Sequence, residues 1–231
     1  MNPDLLFDFS HLFFPHICVG CGTDVLGMKA VLCIKCVNRL PVTNFHLYAE
    51  NQVEKIFRGR LPISQATSLC YFSKDSLIQR LLHQLKYKGN KEVGYFAGRL
   101  MGIAIRQSET YDSVDALIPL PLFASREKKR GYNQAAVLCD GISAITGVPV
   151  LKNVISRLTS TETQTHKNRI ERWLNMEGRF ELRDPEAIKN KHVLLVDDVL
   201  TTGATLEACG HELLQAENTT VSIATLAYTV K

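Results

Sequence analysis

The chain has 231 residues, with 27 Lys and Arg against 23 Asp and Glu and a formal net charge of +4. An apolar fraction of 45% with 22% charged residues excludes a disordered chain, and no apolar run approaches the roughly 20 residues that span a bilayer. So small a positive excess does not by itself make a nucleic-acid binder, and the composition reads as a soluble, cytoplasmic protein without stable membrane insertion.

In chain order, the apolar residues Leu5, Leu6, Phe7, Phe9, Leu12, Phe13 and Phe14 come first and predict a short helix ended by Pro15. Asp4, Asp8 and the lack of an early basic cluster argue against a secretory signal. Four of the seven cysteines follow as Cys18-x-x-Cys21 and Cys33-x-x-Cys36. Such turns place two thiolates on one metal, and Gly20 and Gly22 allow the chain to curl tightly around Cys21. Two turns supply the four soft ligands that tetrahedral zinc takes. Disulfides are disfavoured without secretion, and redox chemistry would need one such turn beside a βαβ unit. His11 and His16 read as solvated or satisfied rather than as ligands. The single cysteines Cys70, Cys139 and Cys209 lie in apolar surroundings and read as buried, inert thiols. Residues 1–60 therefore read as a zinc-binding head and linker, with 41–65 as the joint, and residues 61–231 as the body.

The body alternates strand and helix signals. Ala66–Phe72 predicts a strand; Leu77, Ile78, Leu81, Leu82 and Leu85 predict a helix that stops near Gly89. A second apolar stripe runs from Val93 to Ala104. Residues 114–122 predict a buried strand entering a proline-constrained loop, and 134–146 a helix stopped by Gly147 and Pro149. Residues 192–198 predict a parallel, fully buried strand, followed by a helix near 205–216 and a strand near 220–228. This alternation gives an α/β fold with a mostly parallel sheet flanked by helices.

Ligands of such sheets sit beyond the carboxyl ends of the strands. Residues 193–205 read VLLVDDVLTTGAT: an apolar strand, two acids, then a small hydroxyl-rich loop opening a helix. Thr201, Thr202, Gly203, Ala204 and Thr205 offer hydroxyls and backbone N–H groups at a helix N-terminus, where an anion binds, and Gly203 lets the main chain approach that anion without a side chain in the way. Asp197 and Asp198 are acceptors for a vicinal diol or help to hold a divalent ion. A phosphate loop beside diol-binding acids describes a ribose 5-phosphate pocket. No G-x-S-x-G, H-E-x-x-H or Walker loop is present.

This string resembles the signature of type I phosphoribosyltransferases, which bind 5-phosphoribosyl 1-pyrophosphate (PRPP) with magnesium. Leu12-Phe13-Phe14-Pro15 with the cysteine pairs, Leu85-Lys86-Tyr87, Pro119-Leu120-Pro121-Leu122, Arg130-Gly131-Tyr132-Asn133-Gln134, and Gln164, Arg172, Asn175 and Phe180 are similar to the ComF competence-protein family. Lys167 stands where that family usually has Leu. The resemblance implies a type I phosphoribosyltransferase-like body behind a small four-cysteine, zinc-ribbon-like domain. It implies that Asp197 and Asp198 act on the ribose as the catalytic pair, that 201–205 cradle the 5-phosphate, and that Leu120 and Pro121 face pyrophosphate. The loop 126–133, with Arg126 and Arg130, and the region 157–175 would correspond to mobile elements over the site. A pentosyl transfer of this kind is driven by placed charge, and the acceptor is not identified.

The alternative is a non-catalytic accessory protein that senses PRPP or binds single-stranded DNA, working with a DNA-uptake helicase. Residues 126–130 carry four basic residues and one acid, and residues 80–91 carry Arg80, Lys86, Lys88 and Lys91 with no acid. Tyr87 and Tyr132 beside these runs predict stacking on unpaired bases.

Overall fold

The computed structural model describes residues 17–24, 30–158 and 180–230. The helix expected over 1–14, with Pro15, His11 and His16, lies outside the described residues, as do Gln164, Lys167, Arg172 and Asn175. In chain order the elements are α1 (Ile34–Val37), α2 (Gln52–Phe57), β1 (Ala66–Phe72), α3 (Leu77–Tyr87), α4 (Lys91–Arg106), β2 (Ala116–Pro119), α5 (Ala124–Arg130), α6 (Gln134–Thr146), β3 (Ile155–Arg157), β4 (Phe180–Leu182), β5 (His192–Leu200), α7 (Ala204–Leu213) and β6 (Thr220–Thr229).

Four strands form a parallel sheet in the order β1-β6-β5-β2. The central strands β5 and β6 are apolar throughout most of their length and bury both faces, as helix-covered parallel strands must. On one side Leu194, Val196 and Leu117 pack with Ile78 and Leu81 of α3, Val93 and Met101 of α4 and Leu138 of α6. On the other, Val193, Leu195 and Ile118 pack with Phe57, Leu206 and Leu213. Helix starts follow local chemistry. The Ser76 hydroxyl accepts from the Gln79 N–H, and Asn90 and Asn133 cap α4 and α6 through their side-chain oxygens. Gly147, at φ 78°, ends α6 as expected.

Three regions differ from the sequence reading. First, 41–65 is not a loose joint. The Thr43 N–H donates to the Leu69 carbonyl, the Tyr71 N–H to the Pro41 carbonyl, and Asn51 Nδ2 to the Ala66 carbonyl at 2.8 Å. Val53 and Phe57 are fully buried, so this stretch covers the free edge and end of β1 rather than linking two bodies. Second, the basic segment 126–130 is helical, not a loop: α5 is made of good helix formers, has its cations in the last turn and is stopped by Gly131 at φ 79°. Third, β3 and β4 form a small antiparallel ribbon whose three-residue strands gave no periodic signal.

The stripe over 93–104 holds more than apolar residues. Gly94, Gly98 and Gly102 recur every four residues on α4, and Gly98 lies against Gly141 of α6 so closely that a Cβ there would sit 2.2 Å from the Leu138 carbonyl oxygen. Backbone cannot yield as a side-chain tip can. Gly98→Ala is expected to cost about 1–3 kcal/mol, the usual range for overpacking, and to lower the melting temperature by about 2–12 °C. Arg99→Ala, one residue along on the exposed face, should shift it little. Paired melting curves check this, and equal curves would mean that the two helices do not touch here.

Candidate functional site

Two sites are built. At the amino end, the Cys18 carbonyl accepts from the Gly22 N–H and the Val19 N–H reaches the Val31 carbonyl, folding the first cysteine turn onto the second. Cys33 stands at the N-cap of α1, and Cys36 follows within that helix. The four sulfurs of Cys18, Cys21, Cys33 and Cys36 all lie within 4.8 Å of one another. Gly20 is obligatory here, since a Cβ would meet Cys36 Sγ and Leu77 Cδ1, each at 2.7 Å. Burial pushes the Cys18 thiol up, but the N–H groups of Cys33, Cys21 and Gly20 outweigh it and bring it down to about 6. Burial and the neighbouring sulfurs push Cys36 up to about 12. Four sulfurs so close together form the donor set that a soft-ligand metal such as zinc takes. By contrast Cys70, Cys139 and Cys209 are fully buried, and burial raises each thiol, as expected of inert cysteines.

The second site is at the carboxyl end of β5. Asp197, Thr201, Thr202, Gly203, Ala204 and Thr205 line one shallow pocket of about 50 Å³. Thr201, Thr202 and Ala204 are exposed, and the loop opens α7 at Gly203. Gly203 is needed for a different reason from the one the sequence suggests. Its φ is 79°, and a Cβ would meet Ile56 Cγ2 at 2.9 Å and the Phe57 ring at 3.1 Å. The missing side chain faces α2, not a ligand. The loop is held from the same region: Arg60 donates to the Thr202 carbonyl at 3.0 Å and pairs with Glu207 of α7. Sequence reasoning missed Arg60 because it lies in the stretch read as a joint.

The two acids do not end the strand, as expected, but sit inside it, because β5 runs to Leu200. Successive residues of a strand face opposite sides, and the acids part accordingly. Asp198 turns to α3, where Lys86 Nζ lies 2.7 Å from its Oδ1. Asp197 lines the pocket with the 201–205 loop and accepts from the Asp198 N–H at 2.8 Å. Burial above all, and then the charge of Asp198, raise the Asp197 carboxyl to about 7, against the opposing pull of Lys86 and Arg157. Lys86 and Arg157 both act by charge on Asp197, whereas sequence reasoning placed Lys86 only in a quoted motif and a basic run, and Arg157 only at the start of the segment 157–175.

The remaining predicted residues lie apart from this pocket. The Leu120 side chain is buried, its N–H donates to the Val196 carbonyl and its carbonyl accepts from Asn133 Nδ2. Pro121 has no N–H, so Leu120 and Pro121 present no free backbone donor to an anion. Pro121 does line a wide cleft of about 620 Å³ with Asn133, Lys152, Ser156, Arg157 and Arg183. Arg157 lies there over the Phe123 ring at 3.9 Å. Arg126 is exposed beside Phe123, and Arg130 donates to Gln134 Oε1 at 2.7 Å and lies over the Tyr87 ring at 5.9 Å. The two basic runs therefore meet at one surface. Tyr87 is 68% exposed there, but Tyr132 is buried with its hydroxyl on the Leu85 carbonyl, so it is not a stacking platform.

The sequence is similar to those of known proteins. The phosphoribosyl transferase domain family matches residues 119–230. The chain is 31% identical over 153 residues to DNA utilization protein YhgH of Salmonella typhimurium, covering 65% of this chain and 66% of that protein, just under two thirds of its length. It is 28% identical to YhgH of Escherichia coli O157:H7 over 93% of this chain and 91% of that one. It is also 32% identical to Competence protein F of Haemophilus influenzae over 54% of this chain and 57% of the other. Among the described residues, no helix is long and apolar enough to cross a membrane.

Proposed function

We propose that the chain, which is similar to competence and DNA-utilization proteins and matches the phosphoribosyl transferase domain family over 119–230, is a ComF-family protein that binds the ribose 5-phosphate end of PRPP at the carboxyl end of β5. The observation that carries this reading is the single pocket shared by Asp197 and the 201–205 loop. The 5-phosphate is received by the threonine hydroxyls and the opening of α7. Asp197 and Asp198 accept from the ribose hydroxyls, and the charge of the pyrophosphate would be balanced by magnesium as its counter-ion. Arg157 and the other cations of the wide cleft are placed to draw the pyrophosphate. Cys18, Cys21, Cys33 and Cys36 hold one structural zinc. The protein works in the cytoplasm, in DNA uptake or processing, as a phosphoribosyltransferase with an unidentified acceptor or as a PRPP sensor. Titration with ribose 5-phosphate against ribose alone tests the pocket. Saturable binding of the first only is expected; equal, unsaturable responses would contradict a ribose-phosphate pocket here.

The meeting of Arg130 with Tyr87 favours a second ligand, single-stranded DNA, on the adjoining surface. Arg126→Ala with Arg130→Ala is expected to weaken oligonucleotide binding and to flatten its salt dependence by about 1.4 in log–log slope, about 0.7 for each lost phosphate contact. The melting temperature should move little, since Arg126 is exposed and Arg130 only half-buried. Unchanged salt dependence would remove DNA from this surface.

A further inference from the structure

The ion pair between Lys86 and Asp198 is the least exposed among the described residues, with side chains 23% and 10% exposed, against 50% and 43% for Lys152–Asp140 or 63% and 76% for Arg58–Glu50. Lys86 is also unlike its neighbours in sequence. Arg80, Lys88 and Lys91 are exposed, whereas Lys86 leaves the basic surface and reaches under it to the end of β5. A pair this withdrawn from water is an inefficient way to gain stability, because desolvation offsets most of the attraction. What it does accomplish is geometric. One carboxylate oxygen of Asp198 is fixed, its charge is balanced from within the protein, and its remaining lone pairs are left to accept.

We propose that Lys86 is a positioning residue of the ribose-phosphate site, fixing Asp198 as a directed acceptor for the ribose hydroxyls, so that recognition of the sugar depends on α3. This rests on the ribose-phosphate reading above. The geometry divides the labour within the site. Lys86 reaches Asp198 from α3, while the 201–205 loop is held separately by Arg60. Loss of Lys86 should therefore damage binding of the sugar and spare binding of the phosphate. It also gives the acids unlike partners, a lysine for Asp198 and a backbone N–H for Asp197.

The test is calorimetric titration of the full chain with ribose 5-phosphate and, separately, with inorganic phosphate. Lys86→Met is expected to weaken ribose 5-phosphate binding by about 10- to 100-fold, the worth of a charged hydrogen bond, and to leave phosphate within about twofold, with Lys86→Arg restoring most of the loss. In an Asp198→Asn background the same Lys86→Met change should have almost no further effect, as a residue acting through Asp198 requires. Equal weakening of both ligands would reduce Lys86 to a general source of positive charge. An undiminished effect in the Asp198→Asn background, or no rescue by arginine, would also overturn the inference. If Lys86→Met fails to fold, Lys86→Gln replaces it in the same comparison. Wild-type protein that binds phosphate but not ribose 5-phosphate would instead remove the pocket reading, and the role of Lys86 with it.

Discussion

Asp197→Asn combined with Asp198→Asn is expected to lower affinity for PRPP by about 100-fold or more in a chain that still folds, since each charged hydrogen bond contributes about 1.5–3 kcal/mol. The two halves should differ in stability. Asp198→Asn leaves Lys86 half-buried without its counter-charge and is expected to cost about 1–3 kcal/mol. Asp197→Asn should stabilise, in a pH-dependent way. Folded Asp197 keeps its proton up to about pH 7, whereas the unfolded chain releases it near pH 4, about the free aspartate value. Between those values the folded state binds more protons, so wild-type stability falls as pH rises through the window, and the whole penalty is present above it. The gain from Asp197→Asn should accordingly be absent near pH 3, grow from pH 4 and be greatest at pH 8. Melting curves of both single variants across this range check the sign. A gain largest in acid would mean that Asp197 is ionised throughout. Simple repulsion between adjacent acids would predict that both variants stabilise; Lys86 makes Asp198 the exception.

Cys18→Ser with Cys36→Ser is expected to take bound zinc from about one ion per chain to nearly none, and to lower stability well beyond the head. Sequence alone suggests that only the head would lose order. The structure widens the effect, because Cys18, Val31, Leu32 and Cys36 share one core with Ile78 and Leu81 of α3. Gly20 packs against Leu77, the first residue of that helix. A structural zinc site contributes folding energy directly, and its loss should loosen α3, which also carries Lys86. Metal analysis decides the ligand set, and undiminished zinc would refute it. Hydrogen exchange decides the reach: faster exchange in 77–87 is expected, and exchange confined to 17–37 would mean the head is energetically separate.

The parallel sheet was legible because a buried strand such as 192–198 needs an unbroken apolar run, and because Gly147 with Pro149 leaves a helix no way to continue. The cysteine cluster was legible for the same reason, since its spacing is its geometry. What escaped depends on distant partners. Arg60 and Lys86 look like ordinary surface cations until the fold brings them to Thr202 and Asp198. The covering of β1 by 41–65 escaped because a backbone addition such as Thr43 to Leu69 has no periodic signature. Gly203 was correctly singled out for the wrong reason, because a sequence shows that a side chain is missing but not which surface approaches the gap. The separation of Asp197 from Asp198 follows from strand alternation, which holds through both acids because β5 continues to Leu200; reading the pair as one acidic turn overlooked it.

The most direct measurement is calorimetric titration of the zinc-loaded wild-type chain with PRPP and magnesium, repeated on Thr201→Val with Thr202→Val. These two side chains are exposed in the loop and take no part in the core. Saturable one-to-one binding to the wild type is expected, with a loss of at least about tenfold in the variant, as follows from removing hydroxyl donors to a phosphate. Wild-type protein that takes up no PRPP at millimolar concentration, or a variant that binds it as tightly as the wild type, would contradict a ribose-phosphate site at the end of β5.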